Sequence, residues 1–100
     1  PSNEKERRYM ELKNYMEEAV KDILDNVLKD LDVCKCEKCK LDIMALTLNS
    51  LPSKYYVTEK GELYNKVNEL KRQFEVDIIS KITQAAYFVN EHKHHGDDHV

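Results

Sequence analysis

Residues 34–39 read CKCEKC and hold all three cysteines of this hundred-residue chain. Sulfurs spaced so closely can share one soft metal ion. No secretory signal is visible in the sequence, so we do not expect disulfide bonds. The spacing favours a metal that prefers thiolates, and we expect zinc, one ion per chain, with Zn–S bonds of about 2.3 Å. Such an ion would join the helix before the cluster to the helix after it.

A closed structural zinc site needs four ligands, and Cys34, Cys36 and Cys39 supply three. The chain ends in a histidine-rich tail, which offers a fourth nitrogen ligand. We take His95 as the candidate, with the other tail histidines, an acidic group or a residue of a partner chain as alternatives. Those other histidines are His92, His94 and His99.

Two further interpretations of the cysteines stay open. The pair Cys36-x-x-Cys39 has the spacing of a thiol redox motif, but here a predicted helix, not a strand, precedes it. The other interpretation is that the three cysteines bind no metal and are simply small buried thiols. A catalytic zinc is disfavoured, because no histidine or glutamate stands at a spacing typical of metalloenzymes. We therefore do not expect an enzyme.

Composition indicates one small helical domain. Charged residues make up 35% of the chain, and only two glycines and two prolines interrupt it. We expect a single domain over residues 1–100, with a core at about 6–91 and a flexible tail at 92–100. The apolar runs are too short to cross a bilayer, and we expect a cytoplasmic protein.

The net charge of −3 argues against direct binding to duplex DNA. The charge is uneven, however, because residues 33–60 carry five lysines and three acids. A basic middle in an acidic chain is compatible with a small anionic ligand. Solvated helix faces would give the same pattern.

Apolar spacing predicts three helices in an all-α fold. The first runs from Glu6 to about Asp30, with Leu12, Ile23 and Val27 on its apolar stripe. The second runs from about Glu37 to Ser50, and we expect Leu41 and Leu46 to be part of a broadly buried surface. Residues 54–58 between helices two and three read as extended.

The third helix, from Glu62 to about Glu91, contains no glycine or proline. Its apolar positions keep steps of three and four residues: Leu63, Val67, Leu70, Phe74, Ile78, Ile82, Ala85 and Val89. A straight helix of this length spans about 45 Å, beyond the extent of a compact domain of this size. Either it bends near Gln73 or a second chain covers it. We favour the second chain and expect a homodimer.

Lys54, Tyr55 and Tyr56 are candidate ligand-binding residues. An aromatic ring beside a cation can stack a nucleic-acid base and hold its phosphate. The alternative is ordinary packing, with one tyrosine in the core and the other at an interface.

The cysteine run continues into a longer pattern. It reads Cys34-x-Cys36-x-x-Cys39-x-x-Asp42-Ile43-x-Ala45-Leu46-x-Leu48-Asn49-x-Leu51-Pro52-x-x-Tyr55, followed by Val57-Thr58. Upstream stands Asn14-Tyr15-Met16-Glu17-Glu18. These residues resemble the late competence protein ComFB family over roughly residues 10 to 90.

The resemblance implies a small all-α homodimer with Cys34, Cys36 and Cys39 as zinc ligands and no enzymatic activity. It implies a link to bacterial DNA-uptake competence, and a receptor for cyclic dinucleotides such as c-di-AMP. A protein-interaction adaptor with a purely structural zinc is the alternative. Relatives with a further cysteine near the C-terminus differ from this chain, which has histidines there; this makes a tail histidine the candidate fourth ligand.

Overall fold

The fold was analysed in a computed structural model, which describes residues 10–59 and 63–93, the side chains of residues 63 and 64 excepted. These residues form three helices and two strands, and the two strands pair in one antiparallel sheet. Their bounds are β1 Met10–Asn14, α1 Tyr15–Leu28, α2 Glu37–Asn49, β2 Tyr55–Glu59 and α3 Leu63–Glu91. The fold is therefore mostly helical, as predicted, but the all-α expectation missed the small sheet.

The first helix begins nine residues later than predicted. Residues 10–14 form β1 because the Asn14 side chain does two things at once. Its Oδ1 accepts a hydrogen bond from the backbone N–H of Met16 at 3.2 Å, which caps α1. It also accepts one from the N–H of Lys54 at 2.8 Å, which holds β2 beside β1. Tertiary pairing thus overrides the helical preference of residues 10–13.

The sheet has one face turned to the helices and one turned to solvent. β1 pairs with β2 so that Leu12 lies opposite Val57 and Lys13 opposite Tyr56. On the inner face Thr58 is buried, and its hydroxyl hydrogen-bonds with that of Tyr15. Leu12, placed on the buried helix stripe by the sequence, is instead 71% exposed on the outer face. That prediction was wrong because side chains alternate between faces in a strand.

The core forms where α1 and α2 pack against α3. Every predicted stripe position on α3 whose side chain is described is buried or partly buried against the core. On α1 the buried line is Met16, Val20, Leu24 and Leu28, whereas Ile23 and Val27 are only partly buried. None of the described helices has the length and apolarity needed to span a membrane.

α2 buries a narrower face than predicted. Cys39, Ile43 and Thr47, spaced four residues apart, are its buried residues. Leu41 is 60% exposed and Leu46 38% exposed. The expectation of broad burial was wrong because only one side of α2 meets the other helices.

α3 is interrupted at Phe74, whose backbone angles of φ −115° and ψ 16° are not helical. The structure thus contains the bend that the sequence placed near Gln73 as one of two alternatives. Because the bent helix packs on α1 and α2 of its own chain, its main apolar stripe needs no second copy to cover it. The homodimer itself stays a prediction.

Replacing either of two buried threonines with valine is expected to change the free energy of unfolding, but in opposite directions. Within residues 10–59 and 63–93, no hydrogen-bond partner reaches Thr47 Oγ1, although Thr47 is fully buried. Thr47→Val keeps the shape and removes this unsatisfied hydroxyl, so we expect the free energy of unfolding to rise by about 1 kcal/mol.

Thr58→Val is the matched control, because the Thr58 hydroxyl is bonded to Tyr15. Its loss leaves a buried tyrosine hydroxyl unpaired, and we expect a decrease of about 1–3 kcal/mol. Urea denaturation curves recorded at one fixed protein concentration measure both free energies of unfolding. Destabilisation by Thr47→Val would show that its hydroxyl has a partner in solution.

Candidate metal centre

α2 positions two of the three cysteines. Cys36 is the N-cap residue of this helix, in extended conformation, and its backbone carbonyl accepts from the N–H of Lys40 at 2.9 Å. Its Sγ accepts a hydrogen bond from the N–H of Cys39 at 3.4 Å. The sulfur therefore stands where the free N–H groups of the first turn favour negative charge. Cys39 lies in that same turn, almost completely buried.

The connection between α1 and α2 positions Cys34. This segment has no regular secondary structure, and Val33 anchors it in the core. The backbone N–H of Cys34 donates to Oδ1 of Asn90, near the end of α3, at 2.9 Å. Cys34 itself is half-buried.

All three sulfurs lie within 4.8 Å of one another, and none forms a disulfide. Ligand sulfurs of a tetrahedral zinc ion with Zn–S bonds of 2.3 Å stand about 3.8 Å apart. The observed cluster therefore needs to contract by only about 1 Å to bind such an ion. The donor set is soft and compact, and it fits a thiolate-preferring metal. The closeness of the three sulfurs therefore supports the metal interpretation of the motif.

Without a metal, the cluster favours protonated thiols at its buried end. Burial, followed by hydrogen bonds within the cluster, raises the pKa of Cys39 to about 12. At the exposed end, the backbone N–H of Cys39 stabilises the thiolate of Cys36 and lowers its pKa. A bound dication would stabilise the Cys39 thiolate and so offset the burial that keeps this sulfur protonated.

The fourth ligand is not assigned by the geometry. Within residues 10–59 and 63–93, no other His, Asp or Glu places a ligand atom in the sulfur cluster. The candidate His95 lies outside the described residues. His92 is described: its ring stacks on Phe88 with centroids 4.2 Å apart, and its Nδ1 donates to the Phe88 carbonyl oxygen at 2.8 Å.

Three lysines flank the cysteines in the sequence, and each has a defined partner. Lys40 forms an ion pair with Asp25 on α1 at 3.0 Å and Lys38 forms one with Asp42 at 3.2 Å. Lys35 donates to the carbonyl oxygen of Leu31 at 2.6 Å. These cations raise the local potential while they hold the connection and α2 in place.

The other candidate residues do not share one surface. Tyr55 is 62% exposed on the outer sheet face, whereas Tyr56 points inward, its ring 5.9 Å from that of Tyr15. Lys54 Nζ stands 5.3 Å from the ring centroid of Phe74. Lys66 Nζ, which sequence reasoning did not single out, stands 4.7 Å from the centroid of Tyr56.

Metal binding at this cluster is expected to strengthen as pH rises. Cys39 holds a proton near neutral pH, because its pKa lies far above that range, and the metal must displace this proton. We expect zinc affinity to increase by about tenfold per pH unit for each proton released. Competition with a chromophoric chelator at two pH values near neutrality measures the slope. A pH-independent affinity would contradict a protonated Cys39.

Comparison with known proteins identifies the family of this chain. The family model described as late competence development protein ComFB matches residues 13–93. The competence protein ComFB of Bacillus subtilis (strain 168) is 28% identical over 81 residues, which cover 80% of this chain and 83% of that protein. The solved structure of the late competence protein ComFB from Bacillus subtilis is 27% identical, with a TM-score of 0.74 over 84% of this chain and 96% of that one. The chain is a member of the ComFB family of late competence development proteins.

Proposed function

We propose that this chain is a zinc-stabilised homodimer that binds a regulatory ligand or partner in DNA-uptake competence and catalyses no reaction. The observation that carries the proposal is the trio of sulfurs within 4.8 Å at the start of α2. A cytoplasmic location, expected from the sequence, belongs to the same proposal.

Zinc is the expected ion because it accepts thiolate ligands without a preferred d-electron geometry. Bound to Cys34, Cys36 and Cys39, it would tie the irregular connection to the first turn of α2. Three thiolates around one dication leave a net negative charge, which the neighbouring lysines and the α2 N-terminus help to stabilise. A tail histidine such as His95, or a residue of a second copy, completes the coordination.

A second apolar stripe on α3 supports the homodimer. Val76, Ile79 and Tyr87 are 77%, 40% and 48% exposed, and they repeat at helical spacing. Ile79 also lines a groove of about 480 Å³ between α1 and α3, together with Ile23 and Val27. Exposed apolar surface of this kind is typical of protein interfaces. The proposed dimer contact is this second stripe, since the first packs within the chain.

Elemental analysis and light scattering of the purified protein test the metal and the dimer together. We expect one zinc per chain in a two-chain particle. Cys36→Ser should lose zinc and melt several degrees lower, because structural zinc binding contributes to folding free energy. Ile79→Glu should yield a zinc-loaded monomer, because it places a charge in the proposed contact.

Leu41→Glu is the control for the dimer, since Leu41 is an apolar residue on α2 that is even more exposed than Ile79. It should stay dimeric. A metal-free parent that is fully folded would refute the zinc proposal. An Ile79→Glu protein that remains a dimer would place the contact elsewhere.

A cyclic dinucleotide is the ligand class that the inner sheet face favours. Two cation–ring pairs support this assignment, Lys54 with Phe74 and Lys66 with Tyr56, and all four residues are only partly buried. Each lysine now lies over a ring face, so an incoming base would take its place by stacking. The displaced ammonium groups would then be free to pair with phosphates.

Titration calorimetry with c-di-AMP tests this assignment. We expect the Lys54→Ala/Lys66→Ala double variant to lose measurable heat, because both phosphate partners are removed. Tyr55→Ala should bind like the parent, because Tyr55 lies on the opposite sheet face. Loss of binding in Tyr55→Ala alone would move the site to the outer face. An absence of heat with the zinc-loaded parent would end the nucleotide proposal.

A protein adaptor is the second candidate, favoured by the outer sheet face. Met10, Leu12, Tyr55 and Val57 expose apolar side chains there, on a sheet whose two strands are both edge strands. A surface of this kind suits a protein partner better than a nucleotide, since these four side chains offer no positive charge to pair with a phosphate. Capture of a partner in a manner insensitive to cyclic dinucleotides would support this candidate.

A further inference from the structure

We infer that Asn90 is a positioning residue of the metal centre, which couples metal binding at Cys34 to the docking of the last turns of α3. The inference rests on the proposed metal site. Its basis is the hydrogen bond from the backbone N–H of Cys34 to Asn90 Oδ1 at 2.9 Å, across 56 residues of sequence.

The three sulfurs differ in how the chain holds them. Cys36 and Cys39 are set by the cap and first turn of α2, so their separation follows from helix geometry. Cys34 lies two residues before the cap, in a connection without helix or strand hydrogen bonding. A backbone bond to a rigid helix is what such a residue needs to keep its sulfur near the other two.

Asn90 is well placed for this role. It follows Val89, a buried core residue, so the backbone at this point of α3 is held by packing. Asparagine is a poor residue for a helix, and its short amide competes with the helical hydrogen bonds. Here the side-chain oxygen reaches the connection instead, and Asn90 is half-buried.

The contact makes the coupling reciprocal. A metal that fixes the Cys34 sulfur also fixes the Cys34 amide, and so strengthens the bond that holds the end of α3. By linkage, docking of α3 raises metal affinity by the same factor. The C-terminal end of α3 would thus respond to whether the metal site is filled.

Zinc affinity measured by chelator competition tests the inference in three variants. Asn90→Leu keeps the approximate shape but removes the acceptor, and we expect about a tenfold loss of affinity, the low end for an outer-shell contact. Asn90→Asp keeps an acceptor oxygen and should retain most of the affinity. Gln84→Leu is the matched control, an exposed amide on α3 that bonds within its own helix to Ser80, and it should bind zinc like the parent.

A second measurement separates positioning from a purely structural role. Amide hydrogen exchange in the last turns of α3 should slow when zinc is added to the parent, and this zinc effect should disappear in Asn90→Leu. If Asn90 only stabilises the fold, Asn90→Leu lowers the melting temperature with and without zinc alike and leaves zinc affinity unchanged. That result overturns the inference.

The two proposals fail in distinguishable ways. A parent protein that binds no zinc refutes the metal site and, with it, the role of Asn90. A parent that binds zinc while Asn90→Leu binds it equally well refutes only the role of Asn90.

Discussion

Burial of one apolar stripe of α3 against α1 and α2 is the constraint on which the other features of this fold depend. Val67 and Leu70 hold the helix before the interruption at Phe74, and Ile78, Ile82 and Val89 hold it after. The stripe from Val67 to Val89 packs within one chain, and the two halves of α3 contact different parts of the molecule. The first half meets the sheet through Lys66 and Tyr56, and the last turn meets the connection before α2.

In this arrangement α3 contacts residues of both candidate sites. The metal cluster needs Cys34 brought to Cys36 and Cys39, and Asn90 of α3 bonds to the backbone of Cys34. The proposed nucleotide site includes the pair of Lys54 and Phe74, and the interruption in α3 lies at Phe74 itself.

Several features of the fold could be predicted from local sequence signals. The bounds of α2 and α3 were predicted to within one residue, because runs of helix-favouring residues and the breakers near Pro52 are local signals. The strand at Met10–Asn14 was not predicted, since residues 10–13 favour a helix and only pairing with Tyr55–Glu59 makes them extended. A local signal did exist: Asn14 with Glu17 three residues later is a capping-box spacing, which marks a helix start.

The cysteine cluster could be proposed from the sequence, because five residues limit Cys34 and Cys39 to at most about 17 Å even in an extended chain. The start of α2 and the bond to Asn90 then bring the three sulfurs together. The sequence by itself determined the core stripe of α3, because helical period and apolar residues are properties of the local chain. The packing of distant elements was needed to establish that Tyr56 and not Tyr55 faces Tyr15, that Lys66 stands over Tyr56, and that Asn90 bonds to Cys34. Those relations join residues far apart in the chain, and they follow from how the helices pack, which no local pattern encodes.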